Sequence, residues 1–250
     1  MDTVTGWLMG PWSGPRRTPP NPPAHGETEV TETLREPRPG WHSVVMPESA
    51  EEIHARIVAA VGPHGHLPMP AMGGWGVFPW EVVDGELVPK TVPPPADEPA
   101  RWGEAPGRPC GACAGFEPAH VVWEDEDWVL THPGAPSGLP LVLVLHTREH
   151  VDLDGLDDEL ASQLGRISNR LARIVGNLPN IGRVHVNRWG DGSSHFHLWF
   201  FARPARLPSI LGSYAVEWDA VLPPGPEDVW RADLHTVATK LANWGGDARA

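Results

Sequence analysis

The feature that most narrows the fold is a stripe of apolar residues between Leu156 and Leu178. Leu156, Leu160, Leu164, Ile167, Leu171, Ile174 and Leu178 follow one another at steps of three and four, which predicts an amphipathic helix with a single apolar face. LPLVLVLH (139–146) precedes it, a nearly continuous apolar run of strand length; such a run suits a strand covered on both faces. IGRVHVNRW and SHFHLWFFARP follow it, two further strands joined by GDGS, whose glycines supply the positive φ a turn needs. Upstream, AHVVWEDEDWVLTH reads as two short strands around an acidic turn. The order is strands, helix, strands, without βα alternation. The expected class is therefore α+β: an antiparallel sheet with a long helix packed on it.

The remainder is less regular. The chain has 250 residues, enough for one good domain with an extension or two small domains. Its 30 prolines cluster, and the clusters read as linkers. Residues 1–40, with RRTPPNPPAHGE at their centre, are expected to hold little regular structure. From Pro47, PESAEEIHARIVAAVG predicts a short helix, with Ser49 and Glu52 at capping-box spacing and Ile53, Ile57 and Val58 as its stripe. WGVFPWEVVDGELVPKTVPPP predicts a hairpin turning at Asp84-Gly85, and PPPADEPARWGEAPGRP a linker. Near the C-terminus, Pro226 opens a helix carrying Val229, Val237 and Leu241 on one side. The expected organisation is a Pro/Trp-rich N-terminal extension over 1–100, a main domain over 101–205 and a helical extension over 206–250.

Charge excludes one class of partner. The net charge is −13 with no basic block, which argues against a nucleic acid polymer. A small phosphorylated metabolite stays open, because one pocket can be locally favourable. No window reaches the roughly 18 apolar residues of a membrane span. No basic segment followed by an apolar stretch marks a signal peptide in MDTVTGWLMGPWSGPRRTPP, so the expected location is the cytoplasm. Cys110 and Cys113 form CGAC. Taken alone, this pair reads equally as a redox motif, half a zinc site, or two plain thiols.

Chemistry concentrates in SHFHLWFF. In an extended strand residues i and i+2 share a face, so His195, His197, Trp199 and Phe201 are expected on one side and Phe196, Leu198 and Phe200 on the other, under the helix. Two imidazoles on one face of an apolar strand need partners. Asn187 on the preceding strand is placed to face them. His120, His132, His185 and His235 have no ligand spacing, EDED (124–127) reads as a solvated turn, Asp191 as turn chemistry, and the 13 tryptophans mostly as packing.

HFHLWFF resembles the histidine-triad (HIT) motif, in which three histidines alternate with apolar residues. CGAC, a short strand pair, an apolar strand ending in LHTREHVDLDGL, a long helix, an Asn-bearing strand and the motif strand follow in the family's order, over roughly residues 105–205. The resemblance implies a HIT-like fold and an attack by His197 on the α-phosphorus of a nucleotide. It implies substrate contacts from Asn187, Ser193 and Ser194. It also implies structural Zn²⁺ held by Cys110, Cys113, His150 and His195, with His146 and then His132 as rivals to His150. A homodimer is among its implications. The departure is Trp199, where the family has His, or Gln in its uridylyltransferase branch. Indole offers one donor and no acceptor; it can donate to phosphate, stack on a base, or fill the site. Two readings follow: a nucleotide hydrolase or nucleotidyltransferase, or an inactive nucleotide-binding or zinc-stabilised interaction module.

Overall fold

The computed structural model describes residues 45–70, 76, 78–104 and 108–250. The expectation of little regular structure over 1–40 lies outside the described residues. Helix α1 (Ala50–Ala59) starts at a complete capping box: Ser49 accepts from the Glu52 N–H, and the Glu52 carboxylate accepts from the Ser49 N–H. Strands β1 (Trp80–Val83) and β2 (Glu86–Pro89) form the expected hairpin. Its two turn residues, Asp84 and Gly85, both have positive φ, the geometry of the tight turns that match strand twist. Residues 91–104 contain no helix or strand, apart from a bridge between Trp102 and Ser193.

The main sheet has six antiparallel strands: β3 (Val121–Glu124), β4 (Trp128–Thr131), β5 (Leu141–Thr147), β6 (Ile181–Asn187), β7 (His197–Pro204) and β8 (Asp247–Ala248). Their spatial order is β6-β7-β5-β4-β3-β8. The acidic turn between β3 and β4 is held by Asp125, which accepts from the N–H groups of Asp127 and Trp128. Helix α2 (Asp158–Gly176) is capped by Asp157. Its stripe packs Ile167, Leu171, Ile174 and Val175, with Leu178 beyond its end, against Leu141, Leu143, Leu145, Phe196 and Phe200. Each such buried side chain stabilises the fold by about 1.5–3 kcal/mol. Helix α4 (Glu227–Ala242) adds Trp230, Leu234, Val237, Ala238 and Leu241 to the same core. Trp230, not Val229, is the buried residue of its first turn.

The opposite face of the sheet carries a smaller cluster. Val142 and Phe201 meet Leu139, Ile210, Leu222 and Ala215 of helix α3 (Tyr214–Val221), with Ile57 of α1 and Trp199 against them. β5 is therefore covered on both faces, as its composition predicts.

One expectation is corrected. β7 begins at His197, so His195 is not part of the strand and the shared-face argument does not extend to it. The residues before β7 bond elsewhere: the Ser194 N–H donates to the Trp102 carbonyl and the Phe196 N–H to the Val151 carbonyl. This detour turns the His195 ring toward the CGAC turn. From His197 onward the alternation holds.

Candidate functional site: a Cys2His2 cluster beside a histidine strand

The CGAC turn precedes β3, His150 follows β5 and His195 precedes β7. Three loops distant in sequence therefore converge. The ligand atoms of Cys110, Cys113, His150 and His195 all lie within 4.8 Å of one another. Cys113 Sγ is 3.2 Å from His150 Nδ1 and 3.5 Å from His195 Nδ1, and Cys110 Sγ is 3.4 Å from His195 Nδ1. Two sulfurs and two imidazole nitrogens around a tetrahedral Zn²⁺ would be spaced by roughly 3.5 Å, given Zn–S near 2.3 Å and Zn–N near 2.0–2.1 Å.

The outer contacts fit the same use. His195 is only 2% exposed, and its Nε2–H donates to the Thr147 carbonyl at 2.7 Å, leaving Nδ1 with its lone pair toward the cysteines. Burial lowers its pKa despite that bond, with His150 and His197 adding to the effect, which favours the neutral ring a metal needs. His150 Nε2 lies 3.4 Å from the Ser194 hydroxyl. The Cys113 N–H points at Cys110 Sγ, 3.4 Å away. The donor set and its supports are compatible with zinc.

Two further residues frame the cluster. Gly103 sits at φ +95°, and a Cβ there would come within 2.7 Å of His150 Cε1 and 2.8 Å of Ser194 Oγ. Asp152 joins the loops, accepting from Arg101 at 2.6 Å and from Arg188. Burial acts to raise the Asp152 pKa, but Arg101, the Leu153 N–H and Arg188 outweigh it, and the net shift is downward.

His197 stands at the first position of β7. Its Nδ1–H donates to the His195 carbonyl at 2.9 Å, which fixes the tautomer and leaves the Nε2 lone pair uncommitted. His146 pairs with it across β5. Burial, with His197 and His195 as lesser causes, holds His146 at a pKa of about 3. Its ring packs on Phe116 and its Nε2 lies 3.2 Å from the Thr131 hydroxyl. His146 thus neighbours His197, while His150 joins the cysteines. His132 lies apart, bonded to Ala119 and packed on Trp230.

Asn187 pairs with Trp199 across β6 and β7 and so shares the His197 face. The Trp199 indole stacks on Phe201 at 14° and meets Trp189 edge-on. The two serines have internal partners: Ser193 Oγ accepts from the His195 N–H, and the Ser194 hydroxyl donates to the Trp102 carbonyl. Sequence reasoning missed Gly103, Thr147 and the Arg101–Asp152–Arg188 link. Gly103 lay inside an apparent linker, and the shortest contact of Thr147 with His195 is through its main-chain carbonyl, so neither carried a clear side-chain signal.

No family model and no curated protein matches the sequence. Among solved structures, the chain is similar to HIT-like proteins. A Hit-like protein involved in cell-cycle regulation from Bartonella henselae aligns with TM-score 0.38 and 13% identity, over 52% of this chain and 91% of that one. A Zn-bound histidine triad family protein from Mycobacterium smegmatis aligns with TM-score 0.37 and 19% identity, over 51% and 90%. A uridylyltransferase aligns with TM-score 0.35 and 16% identity, over 52% of this chain and 43% of that one. Among the described residues, no helix is long and apolar enough to cross a membrane.

Proposed function

We propose that this protein is a HIT-like nucleotide hydrolase or nucleotidyltransferase acting at the α-phosphorus of a nucleoside phosphate. The observation that carries the reading is the 2.9 Å bond from His197 Nδ1 to the His195 carbonyl. It commits Nδ1 to the main chain and directs reactivity to Nε2, the nitrogen whose lone pair nucleophilic attack on phosphorus requires. In this reading the Nε2–P bond forms as the bond from phosphorus to the leaving group breaks. The leaving group departs with that electron pair and takes a proton from solvent. Water then attacks phosphorus and expels the His197 imidazole, giving a nucleoside monophosphate. Another nucleophile in place of water gives transfer.

Asn187 and Trp199 are assigned to the substrate. Ser193 and Ser194 are assigned to the loop that frames it, with Ser194 orienting His150. Bound Zn²⁺ would supply structure, tying the CGAC turn to the loop before β7 through Cys110, Cys113, His150 and His195. Residues 101–205 carry the chemistry in this reading, with 1–100 and 206–250 as extensions in sequence, and a homodimer in the cytoplasm is the assembly it implies.

A second reading, a nucleotide-binding module without turnover, is favoured by Trp199 standing where a third histidine would donate to phosphate. Loss of one such donor costs a few kcal/mol, by analogy with about 2.7–4 kcal/mol for an oxyanion-hole donor, and so slows chemistry without abolishing it. Phosphorus NMR with adenosine phosphoramidate, diadenosine polyphosphate and a UDP-sugar, run beside His197→Ala, separates the two. Turnover that disappears in the variant supports the enzyme. Nucleotide binding without turnover in either protein establishes the module.

A further inference from the structure

We infer that Trp189 forms, with Trp199, an aromatic shelf beside His197 on which the substrate's nucleobase stacks. The inference rests on the phosphoryl chemistry proposed above and names what the rest of the ligand touches. Trp199 follows His197 by two residues on one face of β7, placing it roughly 7 Å along the strand. Asn187 lies opposite Trp199 in register, and Trp189 follows Asn187 by two residues, just beyond the end of β6. Because β6 runs antiparallel to β7, the chain beyond Asn187 turns back toward the His197 end, while the Trp189 ring lies against Trp199 and Phe201, so a ligand with its phosphorus at His197 and its base directed along β7 meets both indoles.

The Trp189 ring suits this use. Its centroid is 6.5 Å from that of Trp199 and 5.9 Å from that of Phe201, at interplanar angles of 63° and 75°. Neither neighbour lies parallel to it, so no stacking partner is already present among these rings. It remains 42% exposed, unlike Phe201, which is 4% exposed. A rigid indole held on edge by two aromatic neighbours and open to solvent is a platform for a planar ring. Stacking of this kind tolerates any base, because every base has a π-face.

Calorimetry on the zinc-loaded full chain, titrated with adenosine 5′-monophosphate, ribose 5-phosphate and adenosine, tests the shelf. The shelf requires adenosine monophosphate to bind about 5–140-fold more tightly than ribose 5-phosphate, the range set by stacking of about 1–3 kcal/mol. Trp189→Ala should remove that advantage and Trp189→Phe should keep most of it. Equal binding of the two phosphates in the unmodified protein overturns the shelf and leaves the phosphoryl reading standing. Adenosine binding that depends on Trp189 and gains nothing from phosphate keeps the shelf and removes the phosphoryl reading. Binding of none of the three overturns both.

Discussion

Gly103→Ala should weaken metal binding without removing a ligand. The new methyl would sit 2.7 Å from His150 Cε1 and 2.8 Å from Ser194 Oγ, on a backbone at φ +95°. Neither neighbour yields easily. The His150 ring lies 3.2 Å from Cys113 Sγ on one side and 3.4 Å from Ser194 Oγ on the other, and Ser194 itself donates to the Trp102 carbonyl. The unusual φ alone costs a non-glycine residue about 1–3 kcal/mol. Displacing His150 resembles loss of an outer-shell partner, which typically reduces metal affinity 10–100-fold, or about 1.4–2.8 kcal/mol. Gly111→Ala is the matched control, because Gly111 lies between the two cysteines and a Cβ there meets nothing within 4 Å. Both variants would be loaded with Co²⁺, whose visible absorption reports a thiolate–imidazole site, and titrated against a competing chelator. If Gly103→Ala holds the ion as tightly as Gly111→Ala, the steric argument is wrong.

Three other outcomes follow from packing and charge. Leu171→Ala, at a fully buried position between α2 and the sheet, should cost about 2–5 kcal/mol in urea denaturation. Asp233 is pushed up to about 6 by burial, so its folded form holds a proton that the unfolded form releases above about 3.9. Stability therefore falls as pH rises from about 4 to 6, and Asp233→Asn should gain about 1 kcal/mol at pH 8, after discounting for solvent screening, and nothing below pH 4. Asp152 has the opposite sign: its contribution is present above the ordinary carboxylate range and is lost as pH falls through its lowered folded value. Denaturation curves for Asp152→Asn should lie below those of the unmodified protein at pH 7 and converge with them in strong acid.

The sheet and helix were legible because their apolar periods differ. The three- and four-residue steps of α2 and the unbroken run of β5 cannot exchange roles. Ser49 with Glu52 and Asp84 with Gly85 announced a helix start and a hairpin turn through local backbone chemistry. The Cys2His2 set came from resemblance, since no spacing rule links residues 113, 150 and 195. The detour that removes His195 from β7 was hidden because it depends on main-chain bonds to Trp102 and Val151, and neither position advertises a partner. His146 was weighed as a ligand because a histidine near the end of an apolar strand looks the same whichever way it faces. Only register shows that it points toward His197.

His195 serves two neighbours through different parts of itself: its ring lies among the cysteines and its carbonyl accepts the hydrogen bond from the His197 Nδ1–H. These parts differ in their exposure to mutation. A codon change can delete the imidazole, but every amino acid brings the same carbonyl. Replacement at 195 therefore strips a ligand from the loop while sparing the acceptor that sets the His197 tautomer, as long as the backbone keeps its course. The metal cluster and the orientation of the neighbouring imidazole are separable by drift, although a single residue joins them.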